Sequence, residues 1–323
     1  MDFRHVGRSG LKVSTLGIGC NNFGARLDEA ASLKVIHAAL DAGVNFFDTA
    51  DVYPLGNSGA SEEILGRGLG SRRRDIVVAT KFGLPMDPLS KAPNGSRRYL
   101  VEAAEASLKR LGADYIDLYQ VHFPDRQTPI EETLRAMDDL VRQGKVRYIG
   151  VSNMPTWEVV DSLHASERMG TEKFISSQNQ YSLLAREVEA ELLPALSRHG
   201  LGLLPFFPLA SGLLSGKYRR NVAMPQGARL TKSQQLADIF LNDANFEIVE
   251  RLEGFCQRRG VTMLQLAFRW LLARECVPSV IAGASTPEQV AQNAAAVDGA
   301  LSAEDVAEID KLAGNAPRLF WAH

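Results

Sequence analysis

The sequence predicts an α/β fold: a closed (β/α)8 barrel of the TIM type, with an additional C-terminal helix and long loops at its C-terminal face. Three observations predict it. Short apolar runs recur eight times along the chain, amphipathic stretches separate them, and no shift of composition interrupts the alternation. Strands that alternate with helices form parallel sheets covered by those helices, and eight such units suit a closed barrel better than an open doubly wound sheet. All 323 residues then belong to one domain, 1–323, a size that a barrel with insertions reaches.

The strand runs are TLGIGC (15–20), VNFFDT (44–49), DIVVATKF (75–82), YIDLYQVH (115–122), VRYIGVS (146–152), FISSQNQ (174–180), LGLLPFF (201–207) and SVIAG (279–283). A short segment before residue 15 is expected to plug the bottom of the barrel. Between the runs, apolar residues recur at i, i+3 and i+4, the period of an amphipathic helix. DEAASLKVIHAALDAG opens with acids and stops at Gly43, while SRRYLVEAAEASLKRLG opens on a capping serine and closes with Lys-Arg before Gly112. IEETLRAMDDLVRQGK, REVEAELLPALSRHG, VTMLQLAFRWLLA and TPEQVAQNAAAV repeat the pattern. The stretch 208–242 is too long and too rich in Gly and Pro for a plain connection, and reads as a functional loop over the barrel mouth.

Composition narrows the partners. The chain is 45% hydrophobic and 23% charged with a formal charge of −2, so no global field favours nucleic acid or an anionic membrane. The run Arg72-Arg73-Arg74 reads as a solvated turn. Three cysteines, Cys20, Cys256 and Cys276, form no C-x-x-C pair, which argues for a reducing compartment and against a disulfide framework or structural zinc. The start is polar and broken by glycines, unlike a signal peptide, and no stretch reaches the ~18 apolar residues of a membrane span. A cytoplasmic protein with a small-molecule partner and no metal is expected.

In such barrels chemistry sits at the C-terminal strand ends. The second strand ends at Asp48, with Tyr53 in the loop beyond; the third ends at Lys81 and the fourth at His122. Each alone has an ordinary explanation: a loop cap, a solvated lysine, a hydrogen-bonded structural histidine, a loop aromatic. Neighbouring strands bring all four to one volume, and together they suit proton delivery to a carbonyl. A phenol of pKa near 10 holds its proton too tightly to be an efficient acid at neutral pH. A charged Lys81 beside Tyr53 would lower that pKa, Asp48 would hold Lys81 charged, and His122 would donate to the carbonyl oxygen.

GRSGLKVSTLGIGCNNFG, FFDTADVY, VATKFG, DYIDLYQVHFPD, GKVRYIGVSN, SQNQYSLL, PLASGLLSGKY and GASTPEQVAQN together resemble the aldo-keto reductases over essentially the whole chain. Within that family the resemblance is to the branch of potassium-channel β-subunits and bacterial glyceraldehyde-phosphate reductases. It implies that Asp48, Tyr53, Lys81 and His122 are a catalytic tetrad with Tyr53 as general acid. The activity implied is reduction of aldehydes and ketones to alcohols by NADPH, with NADH as the other candidate.

No Rossmann fingerprint supplies the cofactor site: in GIGCNNFG the third glycine falls at 24 instead of 22, and GRGLG (66–70) ends a helix. By resemblance, Ser152, Asn153 and Gln178 hold the nicotinamide carboxamide and Phe206 stacks on its ring. Leu209, Ser211, Gly212 and Lys217 cradle phosphates, with Arg229 closing over them. Ser285 and Gln289 meet the adenosine 2′-phosphate, and Asn293 the adenine. Gly19, Asn21, Phe207, Gly283 and Gln292 complete the implied cofactor surface. Many family members carry Arg where this chain has Gln289 and Glu where it has Gln292; without a guanidinium the 2′-phosphate is held less strongly.

Two rival functions follow from the same residues. Lys81 as a Schiff-base lysine would make an aldolase-type lyase, but Asp48 would keep it charged and a poor nucleophile. A channel-β-type regulatory subunit would bind NADP(H) without a dedicated metabolic substrate. The substrate pocket is expected to involve Asn21, Asn22, Phe23, the surroundings of Phe82 and Phe123, and the C-terminal RLFWAH with Phe320 and Trp321. Arg97 and Arg98 suit either a pocket for anionic aldehydes or a helix surface.

Overall fold

A hairpin opens the chain: β1 (Phe3–His5) pairs antiparallel with β2 (Lys12–Ser14). The computed structural model describes residues 1–86 and 92–314, and all that follows concerns these. The barrel strands are β3 (Leu16–Gly19), β4 (Phe46–Asp48), β5 (Val77–Phe82), β6 (Ile116–Val121), β7 (Val146–Ser152), β8 (Ser176–Gln180), β9 (Gly202–Phe206) and β10 (Val280–Ala282). They form one parallel sheet in the order β10-β3-β4-β5-β6-β7-β8-β9. The circle closes between β9 and the segment entering β10, where Leu203 N–H donates to Cys276 C=O at 2.7 Å. Each strand lies inside the run expected for it, and the barrel expected from the alternation is the fold observed.

Helices α1 (Glu29–Asp41), α2 (Ala60–Leu69), α3 (Arg97–Leu111), α4 (Ile130–Arg142), α5 (Thr156–Met169) and α6 (Leu192–His199) follow β3 to β8 in turn. The long excursion after β9 carries α7 (Arg229–Lys232), α8 (Gln234–Phe240) and α9 (Asp243–Arg259), and α10 (Met263–Leu272) then leads into β10. Past β10 come α11 (Pro287–Val297) and the expected extra helix, α12 (Ala303–Ala313). Local chemistry sets these boundaries. Asp28 Oδ1 accepts from Ala31 N–H at the start of α1, Ser96 caps α3, and Thr262 with Gln265 forms a capping box on α10. Helix α6 begins later than its sequence pattern: Pro194 has no N–H to donate and its ring would clash with the carbonyl four residues back, so the helix cannot run upstream through Ala190. Among the described residues, no helix is long and apolar enough to cross a membrane.

Strand periodicity divides the apolar residues into two layers. Phe46, Val77, Ala79, Leu118, Leu204 and Ile281 fill the barrel interior, joined by Val6, Leu11 and Val13 of the hairpin. Phe47, Val78 and Tyr119, one position along, face the helices instead. The hairpin is the expected plug: Asn45, just before β4, accepts from Ser14 N–H at 2.6 Å, and Arg8 N–H donates to Gly200 C=O at 2.7 Å. Phe46 fits because β3 offers no side chain at Gly17, where a Cβ would stand 2.6 Å from the Phe46 ring. Continuing the inward parity up the barrel gives Asp48 above Phe46, Lys81 above Ala79, and Gln120 then His122 above Leu118. The apolar interior therefore ends in a polar layer at the mouth.

Candidate active site

At that layer Lys81 Nζ donates to Asp48 Oδ2 at 2.7 Å and to Thr49 C=O at 2.9 Å, with the Lys81 and Asp48 side chains almost fully buried. The other carboxylate oxygen, Asp48 Oδ1, accepts from Gln178 Nε2 at 2.8 Å and Gln120 Nε2 at 3.3 Å. One carboxylate is thus held from β5, β6 and β8 at once. Tyr53 sits on the loop before α2, with Lys81 Nζ 5.2 Å from its ring centroid. The His122 ring packs against the Tyr53 ring edge-on, centroids 5.6 Å apart. The four residues picked from separate strand ends do converge.

Their environment sets their charges. Burial, reinforced by the Lys81 charge, pushes His122 well below its ordinary pKa of 6.5, so its imidazole is neutral. Burial disfavours the Lys81 ammonium, but the Asp48 carboxylate outweighs it and holds the lysine protonated above its usual range. For Tyr53 the expectation needs correcting. Burial raises the phenol above 10, and the opposing pull of Lys81, helped by Arg229, does not overcome it.

Beneath lies a second polar group that sequence reasoning missed. Glu62 of α2 is fully buried and accepts from Thr80 Oγ1 at 2.5 Å and Arg110 Nε at 2.6 Å. Beside it Asp51, 1% exposed, has no partner for either carboxylate oxygen. Burial first, then the Glu62 charge, push its pKa from 3.8 up to about 8, against the pull of Arg110.

Tyr53, His122 and Asp48 open into a cavity of about 790 Å³, a size suited to a large organic ligand. Every residue expected at the cofactor lines it: Gly19 at the end of β3 and Asn21 beyond it, Ser152 at the end of β7 and Asn153 beyond it, Gln178 on β8, Phe206 at the end of β9 with Phe207, Leu209, Ser211, Gly212, Lys217 and Arg229 beyond it, and Gly283, Ser285, Gln289, Gln292 and Asn293 after β10. Asn153 takes a left-handed backbone (φ 55°) and donates from Nδ2 to His122 C=O at 3.1 Å. Phe207 and Ser211 are also left-handed, at φ 52° and 56°, a conformation of non-glycine residues that concentrates at functional sites. Arg229 lies 4.9 Å over the Phe207 ring, and Ser211 Oγ is buried without a partner. At α11, Gln289 Oε1 accepts from Ser285 N–H at 2.8 Å.

Some expectations fall elsewhere. Asn21, Asn22 and Phe123 line the cavity, but Phe23 and Phe82 do not. Phe82 follows the inward Lys81 and so points outward, stacking on Tyr119 at 4.7 Å, while Phe23 is buried among the same strand–helix contacts. Arg97 is ion-paired with Asp139 and Arg98 with Glu102 on the surface of α3, away from the pocket. Arg73 does more than face solvent: it pairs with Asp117 at 2.8 Å and caps backbone carbonyls of Ile76 and Tyr115. The RLFWAH segment lies outside the described residues. Lining residues not anticipated include Cys20, Arg26, Leu55, Leu84, Lys232 and Leu264. Inward parity two residues before His122 was a signal for Gln120; the loop residues carry no such period. Among the described residues, no cluster of His, Cys, Asp and Glu could hold a metal ion.

The model of the Aldo/keto reductase family matches residues 15–313. The chain belongs to that family. This aldo/keto reductase is 41% identical over 310 residues to a probable voltage-gated potassium channel subunit beta of Arabidopsis thaliana, with 92% of each chain covered. It is 34% identical over 335 residues to an L-glyceraldehyde 3-phosphate reductase of Escherichia coli O157:H7, covering 99% of this chain and 95% of the relative. A versiconal hemiacetal acetate reductase of Aspergillus parasiticus is 34% identical over 344 residues, with 96% of each chain covered. The chain is accordingly an oxidoreductase, of a family that reduces small carbonyl compounds with NAD(P)H. The cavity has room for such a dinucleotide, it is lined by Lys217 and Arg229 with no acidic partner for either among the described residues, and it holds an orphaned hydroxyl at Ser211.

Proposed function

We propose that this reductase converts aldehydes and ketones to alcohols, reversibly, with NADPH as the preferred hydride donor. When bound, the nicotinamide supplies the hydride to the carbonyl carbon. Tyr53 gives its phenolic proton to the carbonyl oxygen, and the phenolate it leaves is stabilised by the Lys81 ammonium beside it. The raised phenol pKa means that the proton is in place before reaction. Asp48 keeps Lys81 charged and fixed. Neutral His122 orients the carbonyl oxygen by donating a hydrogen bond, without adding a charge that would compete with Lys81. Ser152, Asn153 and Gln178 bind the carboxamide edge and Phe206 covers the ring. Beyond them, the left-handed turn at Ser211 and Gly212 receives the phosphates.

The observation that carries this reading is the meeting of Tyr53, the Lys81–Asp48 pair and His122 at the floor of the nucleotide-sized cavity. A buried, paired Lys81 also disfavours the Schiff-base alternative, since an amine held above its usual pKa is a poor nucleophile. Titration of the purified protein with NADPH and with NADH, read by fluorescence and followed by an aldehyde panel, tests it. Tighter NADPH binding with turnover supports the reading, and binding of neither nucleotide refutes it. The likeness to a channel β-subunit favours one second reading, a redox-sensing subunit, which predicts nucleotide binding without sustained turnover.

A further inference from the structure

A histidine that donates from one ring nitrogen is ordinarily oriented by a hydrogen bond at the other. His122 lacks that bond: its Nδ1 is buried and has no partner among the described residues. The main chain around it is fixed, since His122 N–H donates to Phe82 C=O at 2.8 Å and His122 C=O accepts from Asn153 Nδ2 at 3.1 Å. Neither bond restrains the imidazole, which is held by two aromatic rings. Tyr53 meets it edge-on, centroids 5.6 Å apart. Phe123, the next residue, stacks on it with centroids 5.5 Å apart and 29° between the planes. Neither tautomer gains a hydrogen bond at Nδ1, so packing alone decides whether the other nitrogen meets a carbonyl.

Phe123 is held in turn by Asp125. In the loop between β6 and α4, Asp125 Oδ1 accepts from Gln127 N–H at 2.8 Å and Oδ2 from Thr128 Oγ1 at 2.7 Å. Oδ2 also accepts from Gly95 N–H at 2.8 Å, which ties this loop to the segment entering α3. Gly95 C=O accepts from Thr133 Oγ1 of α4 at 2.8 Å, and a Cβ on residue 95 would stand 2.9 Å from that hydroxyl. Partial burial works against the Asp125 charge, but the hydrogen bonds from Gly95, Thr128 and Gln127 outweigh it and hold the carboxyl below 3.8. Asp125 does not line the cavity, whereas His122 and Phe123 do. The brace therefore acts on the site only through the two rings that precede it.

We propose that Phe123 is a positioning residue for His122, fixing the plane of the imidazole by stacking in place of the missing hydrogen bond, and that Asp125 holds Phe123 to that task. This rests on the reading of His122 as donor to the carbonyl oxygen. The test compares wild type, Phe123→Leu, Phe123→Tyr and Asp125→Ala with propanal and with a bulky aromatic aldehyde, beside the Kd of NADPH. Small misplacements of a reacting group are costly, so Phe123→Leu should lower kcat about tenfold with both aldehydes and leave the NADPH Kd unchanged. Phe123→Tyr keeps the ring and should stay within about twofold of wild type. Asp125→Ala should lower kcat with both aldehydes; if that variant does not fold, Asp125→Asn takes its place. Wild-type kcat in Phe123→Leu overturns the inference. So does a loss confined to the bulky aldehyde or to KM, which would make Phe123 a wall that touches substrate. Wild-type kcat in the folded Asp125 variant overturns the part given to Asp125. Nitrogen-15 NMR of the imidazole, with the His122 signals assigned from His122→Asn, reads the ring without turnover. Wild type should show one neutral tautomer and Phe123→Leu an average of two, and unchanged shifts overturn the inference. Protein that reduces neither aldehyde refutes the reductase reading, and the NMR comparison then decides the positioning by itself.

Discussion

Asp51 is a buried carboxyl whose oxygens have no partner, next to the buried Glu62, and replacing it by asparagine should stabilise the protein increasingly as pH rises. Its pKa is about 8 when folded against an ordinary 3.8. Between those values the folded carboxyl retains a proton that the unfolded one has released, so folding takes up a proton and each unit of rising pH weakens it. The slope is at most ~1.4 kcal/mol per unit. The loss is complete above the folded pKa and absent below the unfolded one. His122, held neutral by burial, acts in the opposite sense and weakens folding as pH falls below about 6.5; it is common to both proteins and cancels in their difference. The asparagine amide keeps the shape of the carboxyl and removes its titration. A chain of this length changes its melting temperature by on the order of 1.5 °C per kcal/mol. The gap between Asp51→Asn and wild type should therefore widen by roughly 4 °C from pH 5 to pH 7 and level off above pH 9. Differential scanning fluorimetry in a pH series measures it. A gap that stays constant, or one that narrows with rising pH, would refute the assignment of a protonated Asp51.

Tyr53→Phe should keep nucleotide affinity and lower kcat by about two to four orders of magnitude, the range of a lost general acid; steady-state kinetics beside a binding titration checks both. Lys81→Met removes the cation bonded to Asp48, leaving a buried carboxylate with two amide donors. It should abolish turnover and cost ~3–5 kcal/mol of stability, measurable by urea denaturation, with Lys81→Arg as the charge-retaining control. Gln289→Arg places a guanidinium at the start of α11 and should raise NADPH affinity relative to NADH; an unchanged ratio would mean that residue 289 does not face the 2′-phosphate. Gly66→Ala should be destabilising by about 1–3 kcal/mol, because its Cβ would stand 2.5 Å from the Leu111 carbonyl oxygen where α2 crosses α3; a wild-type melting curve would show that the helices can part without cost.

Legibility in the sequence followed periodicity. The strand ends could be counted because each strand alternates by two, so Asp48 above Phe46 and Lys81 above Ala79 were readable as mouth residues before any coordinates. The same rule contained Gln120 and excluded Phe82, but only when parity was carried past the obvious candidates. The resemblance to known reductases supplied the proposed phosphate-binding loop, which has no period of its own. Asp51 and Glu62 were out of reach for a different reason. Their significance lies in what they lack or share across elements: an unpartnered oxygen, an arginine on the next helix. The direction of the Tyr53 shift was misjudged because a neighbouring charge can be guessed from sequence, whereas the depth of burial that opposes it cannot.

The side chains proposed to handle the proton, Asp48, Tyr53, Lys81 and His122, all come from one contiguous arc of the barrel, β4 to β6, and most of the proposed nucleotide wall, from Ser152 to Asn293, occupies the following arc, with Gly19 and Asn21 at β3 completing it. Chemistry and coenzyme choice are thereby written in consecutive stretches of the gene. A single recombination point in the turn between α4 and β7 would exchange most of one while inheriting the other, provided that both parents carry the Gln178 amide that stitches the second arc to Asp48 and the same residues at Gly19 and Asn21. Coenzyme preference can then drift among relatives, or be engineered, without disturbing the proposed acid, Tyr53.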